Sequence, residues 1–120
     1  RDTLAHMNML ICYASSLSVD AAFFDKPVIN INFEMRVGDL MSKSPTYFYK
    51  TAHYKKALNL GGIKLAGSRE ELISAANDYL NNPALDRDGR GKMVAGQCKF
   101  TDGRAGERVG RYLLECLNEL

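Results

Sequence analysis

Three side chains near the N-terminus have the types and spacing of a nucleotide-binding turn. Ser15 and Ser16 follow a short apolar run, and Asp20 lies about one helical turn further along. Serine hydroxyls at the start of a helix can cap its free N–H groups, and the positive end of the helix dipole favours a phosphate there. A carboxylate one turn along is placed to bind a ribose hydroxyl. The pattern predicts a nucleotide site, and the alternative is that the serines only cap a helix.

The surrounding sequence predicts the elements that position these residues. The apolar run at 9–14 predicts a strand near 8–13 that is buried on both faces, as in a parallel sheet. The helix after the serines must end before Asp25-Lys26-Pro27, because proline disfavours helical geometry in the residue before it. The run at 28–33 predicts a second parallel strand. Strand, turn, helix and strand form half of a doubly wound sheet, which binds ligands at the carboxyl ends of its strands.

Residues 34–59 predict a long connection, because neither a helical nor a strand period holds there. Long ordered loops are often functional. Tyr47 and Tyr49 are candidates for stacking on a base or a sugar, with Lys50 beside them. An imidazole can take up or give a proton, so His53 is a candidate general base or hydrogen-bond donor to a phosphate. The alternative is a solvated loop whose aromatic side chains fold back onto the core.

The second half of the chain predicts one strand and three helices. A strand is expected at 63–66, and Ser68 with Glu71 forms a capping box for the helix that Pro83 follows. Residues 85–99 predict a polar helix, and 103–120 predict a last helix capped by Asp102. The expected fold class is therefore α/β: a partial Rossmann-like parallel sheet of about three strands, with flanking and C-terminal helices. The predicted buried stripe of the last helix comprises Ala105, Val109, Tyr112, Leu113, Cys116, Leu117 and Leu120.

Composition narrows the function classes. The 120 residues amount to about one domain, and the formal net charge of +2 is too small to indicate a nucleic-acid binder. Charge is polarised in residues 36–64, where six basic residues accompany one acid and could neutralise a diphosphate. Cys12, Cys98 and Cys116 are too widely spaced for a disulfide framework or a zinc site, which fits a reducing cytoplasm. The sequence therefore predicts neither a metal site nor a cofactor.

Two stretches resemble a known family. The segments YASS at 13–16, SVDAA at 18–22 and DKPVIN at 25–30 are similar to the donor-binding segment in the C-terminal domain of GT-B fold transferases. The bacterial CDP-glycerol glycerophosphotransferases and related capsule and teichoic-acid glycosyltransferases are the members that the chain resembles. The run FTDGRAGERV at 100–109 is also similar to the Asp-Gly-(Lys/Arg)-Ala-x-Glu-Arg ending of those glycerophosphotransferases.

The resemblance implies a function and a place in a larger enzyme. Ser15 and Ser16 would hold the diphosphate of a nucleotide-activated donor, and Asp20 its ribose. A glycosyl or glycerophosphoryl group would pass to a polysaccharide, teichoic-acid or glycolipid acceptor. The family places the general base in the other lobe, so residues 1–120 are expected to be the C-terminal part of a longer protein and inactive alone. The expected location is the cytoplasm or the inner face of the cell membrane.

Two alternatives to the transferase remain open at this point. A nucleotide-sugar epimerase can share the GT-B lobes and the same pattern of hydroxyl turn and acid. A non-catalytic nucleotide-binding module could carry the same residues without any reaction.

Overall fold

A computed structural model describes residues 2–34 and 45–118, and its architecture is α/β. The three strands pair in parallel in the order β1-β2-β3, with helices on both faces of the sheet. The predicted fold class is therefore confirmed. The elements in chain order are α1 (Asp2–His6), β1 (Leu10–Cys12), α2 (Leu17–Phe23), β2 (Val28–Ile31), α3 (Pro45–Tyr49), α4 (Ala52–Asn59), β3 (Lys64–Ala66), α5 (Arg69–Asn81), α6 (Arg87–Gln97) and α7 (Ala105–Asn118).

The central strand β2 divides the interior into two cores. Val28 and Ile29 are both fully buried, and they point to opposite faces because side chains alternate along a strand. Val28 packs in a cluster with residues of α2, α4 and α6, whereas Ile29 packs with Ala75 and Tyr79 of α5. The sheet is thus covered by α2, α4 and α6 on one face and by α5 on the other.

Strand β1 differs from its prediction. It lies at the edge of the described sheet, and its central residue Ile11 is 44% exposed. The expectation of a strand buried on both faces is wrong for β1 and holds for β2, whose Val28, Ile29 and Asn30 are all buried. An apolar run predicts a buried strand but does not say which strand occupies the centre of the sheet.

Helix α2 ends before Asp25-Lys26-Pro27, as the sequence predicts. The chain leaves the helix after Phe23, and Asp25 adopts the left-handed region with φ of 53°. The Asp25 carboxylate then accepts hydrogen bonds from Arg87 Nε at 2.7 Å and from Arg90 Nε at 3.0 Å. Arg90 is 1% exposed, and it also donates to the carbonyls of Leu85 and Pro83. We call Asp25, Arg87 and Arg90 the arginine clamp, which joins the end of α2 to α6.

Two helices lie in the segment that the sequence predicts as a long connection. Helices α3 and α4 occupy most of residues 45–59, so the prediction is wrong there, and residues 35–44 lie outside the described part of the chain. Ala57 on α4 is buried in the core with Val28. Tertiary packing supplies what local periodicity does not, because a helix of only two turns gains most of its stability from the core that it covers.

The helices after β3 follow their predictions more closely. Ser68 Oγ accepts the Glu71 N–H at 3.1 Å, and the Glu71 carboxylate accepts the Gly67 N–H at 2.7 Å. Helix α6 begins at Arg87, two residues later than predicted. Its Gly89 lies directly against the turn before β3, where an added Cβ would stand 2.1 Å from the Gly61 carbonyl oxygen. Glycine at position 89 therefore serves close packing.

The predicted buried stripe of the last helix is wrong. No residue of α7 is buried, and Val109, Tyr112, Leu113 and Leu117 are each more than half exposed. The 3.6-residue pattern correctly places these residues on one face, but a pattern does not supply a surface that covers the face. Leu120 lies outside the described residues. Asp102 does precede the helix as expected, since its Oδ1 accepts the Arg104 N–H at 3.1 Å.

Candidate functional site

A cleft of about 460 Å³ opens beside the carboxyl end of β1. One wall is the turn between β1 and α2 together with the first turn of α2. The other wall is α4 and the residues just before it. The side chains that line the cleft belong to Ala14, Ser15, Ser16, Ser18, Val19, Asp20, Phe48, Thr51, His53, Tyr54, Ala57, Ile63 and Gln97.

The cleft brings together four residues that the sequence singled out. Ser15, Ser16 and Asp20 come from the first wall, and His53 comes from the second, more than thirty residues away in the chain. Asp20 and His53 are both exposed. A carboxylate, two hydroxyls and an imidazole thus share one water-accessible cavity at the edge of the sheet where doubly wound folds bind ligands.

The two serines play different structural roles. Ser15 Oγ accepts the Leu17 N–H at 3.2 Å, so it caps the start of α2. Ser16 stands at the N-cap in a helical conformation and makes no side-chain capping hydrogen bond. The prediction of capping is therefore confirmed for Ser15 and wrong for Ser16. The Ser16 hydroxyl, whose residue is exposed, is the better placed of the two for a ligand.

A buried polar network fixes the wall that carries the serines. The Tyr54 hydroxyl accepts the Ser15 backbone N–H at 3.0 Å and an Asn30 Nδ2–H at 3.0 Å. Ser18 Oγ donates to Asn30 Oδ1 at 3.2 Å, and Asn30 Nδ2 also donates to the Tyr13 carbonyl at 2.9 Å. Asn30 is 0% exposed and Ser18 is 1% exposed. We call Ser15, Ser18, Asn30 and Tyr54 the turn cluster.

The turn cluster ties three elements into one unit. Ser15 and Ser18 belong to the turn and α2, Asn30 to the centre of the sheet, and Tyr54 to α4. Because these connections are hydrogen bonds that centre on the buried Asn30 and Ser18, the turn and α4 hold a fixed spacing across the cleft. The side chain next to Tyr54 is His53, so the network also sets where the imidazole is presented.

The three residues proposed as a substrate loop lie outside the cleft lining. Tyr47 and Lys50 are exposed on α3 and just after it. Tyr49 is buried, its hydroxyl donates to the Ile31 carbonyl at 2.8 Å, and burial raises its pKa to about 12. The fold-back alternative therefore describes Tyr49, whereas Phe48, between these two tyrosines, lines the cleft.

Several lining residues were not singled out from the sequence. Tyr54 is one of several aromatic residues near lysines in the sequence. No local pattern connects it to Ser15, thirty-nine positions earlier. Gln97 ends a helix whose sequence shows no ligand motif. Asn30 does not line the cleft but donates to the Tyr54 hydroxyl, and a polar residue within an apolar strand is a detectable signal for a buried hydrogen-bond partner.

Asp20 borders a second cavity as well. That cavity, of about 540 Å³, is lined by apolar side chains that include Leu17, Phe23 and Phe100. Asp20 therefore lies on the ridge between two cavities, each with both polar and apolar lining. Its carboxylate is open to a ligand in either one.

Neither a metal cluster nor a membrane span is found in the described ranges. Within residues 2–34 and 45–118, no three histidine, cysteine, aspartate or glutamate side chains are grouped so as to hold a metal ion. None of the helices in those ranges is long and apolar enough to cross a bilayer. Comparison of the chain with protein-family models, with curated proteins and with solved structures gives no match.

Proposed function

We propose that the cleft binds the nucleotide-diphosphate part of an activated donor, and that the chain is the donor-binding portion of a transferase. The observation that carries the proposal is the meeting of Ser15, Ser16, Asp20 and His53 in one cavity at the carboxyl edge of a parallel sheet. Hydroxyls and an imidazole suit the oxygens of a diphosphate, and a carboxylate suits the vicinal hydroxyls of a ribose. The resemblance to GT-B fold transferases, drawn from the same turn, favours the same assignment.

The cleft offers an anion two helix N-termini, and Asp20 is the one carboxylate among the described residues of its lining. The first turns of α2 and α4 both line the cavity, so the positive ends of both helix dipoles lie beside it. The Ser15 N–H is taken by Tyr54, which leaves the hydroxyl of Ser16 and the imidazole of His53 as the groups for the diphosphate. These groups would stabilise the negative charge that grows on the departing nucleotide during transfer.

The transferred group and its acceptor complete the proposal. A glycosyl or glycerophosphoryl group would pass to a hydroxyl of a cell-envelope polysaccharide, teichoic acid or glycolipid. We assign the general base and the acceptor site to a second lobe, as the resemblance implies. His53 is the one imidazole among the described residues that line the cleft, and an imidazole can act as a general acid or base.

Calorimetric titration with CDP, UDP, GDP and their monophosphates tests the proposal. We expect a preference for one diphosphate over its monophosphate, because the second phosphate gains contacts at Ser16 and His53. The paired change Ser16→Ala and Asp20→Ala is expected to weaken that diphosphate about tenfold or more. The free energy of unfolding should change by less than about 1 kcal/mol, because both side chains are exposed.

A matched control and a product assay separate the alternatives. Asp78→Ala on α5 removes an exposed carboxylate from the far face of the sheet, and it should leave affinity unchanged. Unaltered affinity in the Ser16→Ala and Asp20→Ala variant would rule out the donor site. Incubating the protein with a labelled nucleotide-sugar and no acceptor tests for an epimerase, which would still convert the donor.

A further inference from the structure

We infer that Gln97 is a binding residue of the cleft, and that its side-chain amide donates a hydrogen bond to a carbonyl oxygen on the nucleobase. The inference rests on the proposed function, since it concerns which part of a nucleotide the cleft recognises. It adds a residue from α6 to a site otherwise built from the turn, α2 and α4.

The position of Gln97 is fixed by the core. Met93 and Val94, one turn earlier on α6, belong to the buried cluster around Val28, and Met93 is 0% exposed. Residues three and four apart share a helix face, so Gln97 continues this inward face as the last residue of the helix. The inward face of α6 therefore delivers an amide to the cleft.

The amide carries an unmet hydrogen-bonding requirement. Among the described residues, two buried side-chain polar atoms have no hydrogen-bond partner, Gln97 Nε2 and Asn32 Oδ1. Of these two residues, Gln97 lines the cleft. A buried N–H without an acceptor is costly, and native proteins retain such a group where a ligand or an ordered water completes it. Gln97 Nε2 is thus an unpaired hydrogen-bond donor on a residue that lines the cavity.

The surroundings of Gln97 suit the base and not the phosphates. Ala57 and Ile63 are buried apolar residues that line the same cavity and belong to the same core cluster as Met93. An added Cβ on Gly96 would lie 3.4 Å from Leu60 Cδ1, which places the end of α6 beside the end of α4. His53 is in the first turn of α4, and seven residues of helix span about 10 Å. The end of α4 beside Gln97 therefore lies about 10 Å, roughly the length of a nucleoside, from the first turn of α4 that carries His53.

This arrangement selects among nucleobases. An apolar slot accepts the faces of any base, whereas the Gln97 N–H needs an acceptor on the edge. Cytosine and uracil each carry a ring carbonyl oxygen with two lone pairs, whereas adenine offers only ring nitrogens with one lone pair each. We therefore expect the cleft to prefer CDP or UDP over ADP, with Gln97 responsible for the difference.

Titration of three variants with CDP, UDP and ADP tests the inference. Gln97→Leu removes the amide and should weaken the preferred pyrimidine diphosphate about tenfold while leaving ADP unchanged. Gln97→Glu keeps the shape but loses the N–H donors, and it should weaken the same ligand at least as much. Asn77→Leu, an exposed amide on α5, is the control and should bind like the unmodified protein.

A thermal denaturation of the same variants separates binding from structure. Removing an unpaired buried amide should leave the melting temperature of Gln97→Leu unchanged or raised, whereas a structural amide would lower it. If the unmodified protein binds a diphosphate and Gln97→Leu binds it equally, the inference is overturned and the proposed function stands. If the unmodified protein binds no nucleotide, the proposed function fails and the inference fails with it.

Discussion

Two polar clusters hold the two ends of α2, one through hydrogen bonds between neutral groups and the other through charged groups. The turn cluster at the start of the helix contains neutral groups only, and it borders the cleft. The arginine clamp after its end contains a carboxylate and two guanidinium groups, one of them fully buried. The Arg90 guanidinium donates hydrogen bonds to Asp25 and to two backbone carbonyls.

The difference separates a positioning role from an anchoring role. A buried charge must be paired completely, so the clamp has little capacity left for a ligand. The turn cluster holds its groups with neutral hydrogen bonds, which leaves the charged Asp20 and the imidazole of His53 exposed beside it. Changes in the clamp should therefore act on stability alone, whereas changes in the turn cluster should act on both stability and ligand affinity.

The largest effect is expected from Arg90→Met. The change leaves Asp25 and the carbonyls of Leu85 and Pro83 without their buried donor, and it should lower the free energy of unfolding by about 3 kcal/mol. Urea denaturation measures the loss. Arg87→Met is the matched control, because its side chain is 61% exposed and its ion pair should contribute less than about 1 kcal/mol. Equal losses for the two variants would show that burial does not distinguish these arginines.

A smaller loss is expected from Asn30→Leu in the turn cluster. The Tyr13 carbonyl loses its side-chain donor, the Tyr54 hydroxyl loses one donor and keeps the Ser15 N–H, and the buried Ser18 hydroxyl loses Asn30 Oδ1, which should cost about 2 kcal/mol. Nucleotide affinity should fall as well, because the turn loses its hydrogen bond to the sheet and is held to α4 by Tyr54 alone. Asn81→Leu, at the exposed end of α5, is the control for both measurements. Reduced stability with unchanged affinity would remove the distinction between the two clusters.

A comparison of Tyr54→Phe with Tyr49→Phe tests whether the Tyr54 hydroxyl positions the turn for ligand binding. Each removes one hydroxyl from neighbouring rings whose centroids lie 5.3 Å apart, and each should cost about 1 kcal/mol of unfolding free energy. Only the Tyr54 hydroxyl contacts the turn, since the Tyr49 hydroxyl donates to the Ile31 carbonyl. Calorimetry should therefore show weaker nucleotide binding for Tyr54→Phe alone. Equal affinities in the two variants would contradict the positioning role.

The smallest effect is expected at Asp102, an exposed carboxylate that belongs to neither cluster. The Asp102 carboxylate accepts hydrogen bonds from Arg108 and from the Arg104 N–H, and these contacts lower its pKa from 3.8 to about 2. Because the pKa is lower in the folded state, the stabilisation is present above about pH 4 and is lost as the pH falls toward 2. Circular dichroism should show a slight loss of helix over that range. The variant Asp102→Asn should lack this acid step while keeping the helix content of α7 near neutral pH.

Much of the fold could be predicted because it depends on near neighbours. Ser68 and Glu71 specify a helix start by contacts three residues apart, and Pro27 specifies the end of α2 by its own ring. The cleft could be predicted only in part. Ser15, Ser16 and Asp20 share one turn and its helix, whereas Tyr54 joins them through a contact across thirty-nine residues that no short pattern encodes.

The sequence by itself determined the α/β class, the parallel strands, the caps at Ser15 and Ser68 and the side chains at the β1–α2 turn. Tertiary structure decided that β1 lies at an edge, that residues 45–59 are largely helical, and that Phe48 and not Tyr47 lines the cleft. It also decided that α7 exposes its apolar face. The physical reason is the range of the interactions: capping and turn formation act within about four residues, whereas burial depends on which distant elements meet.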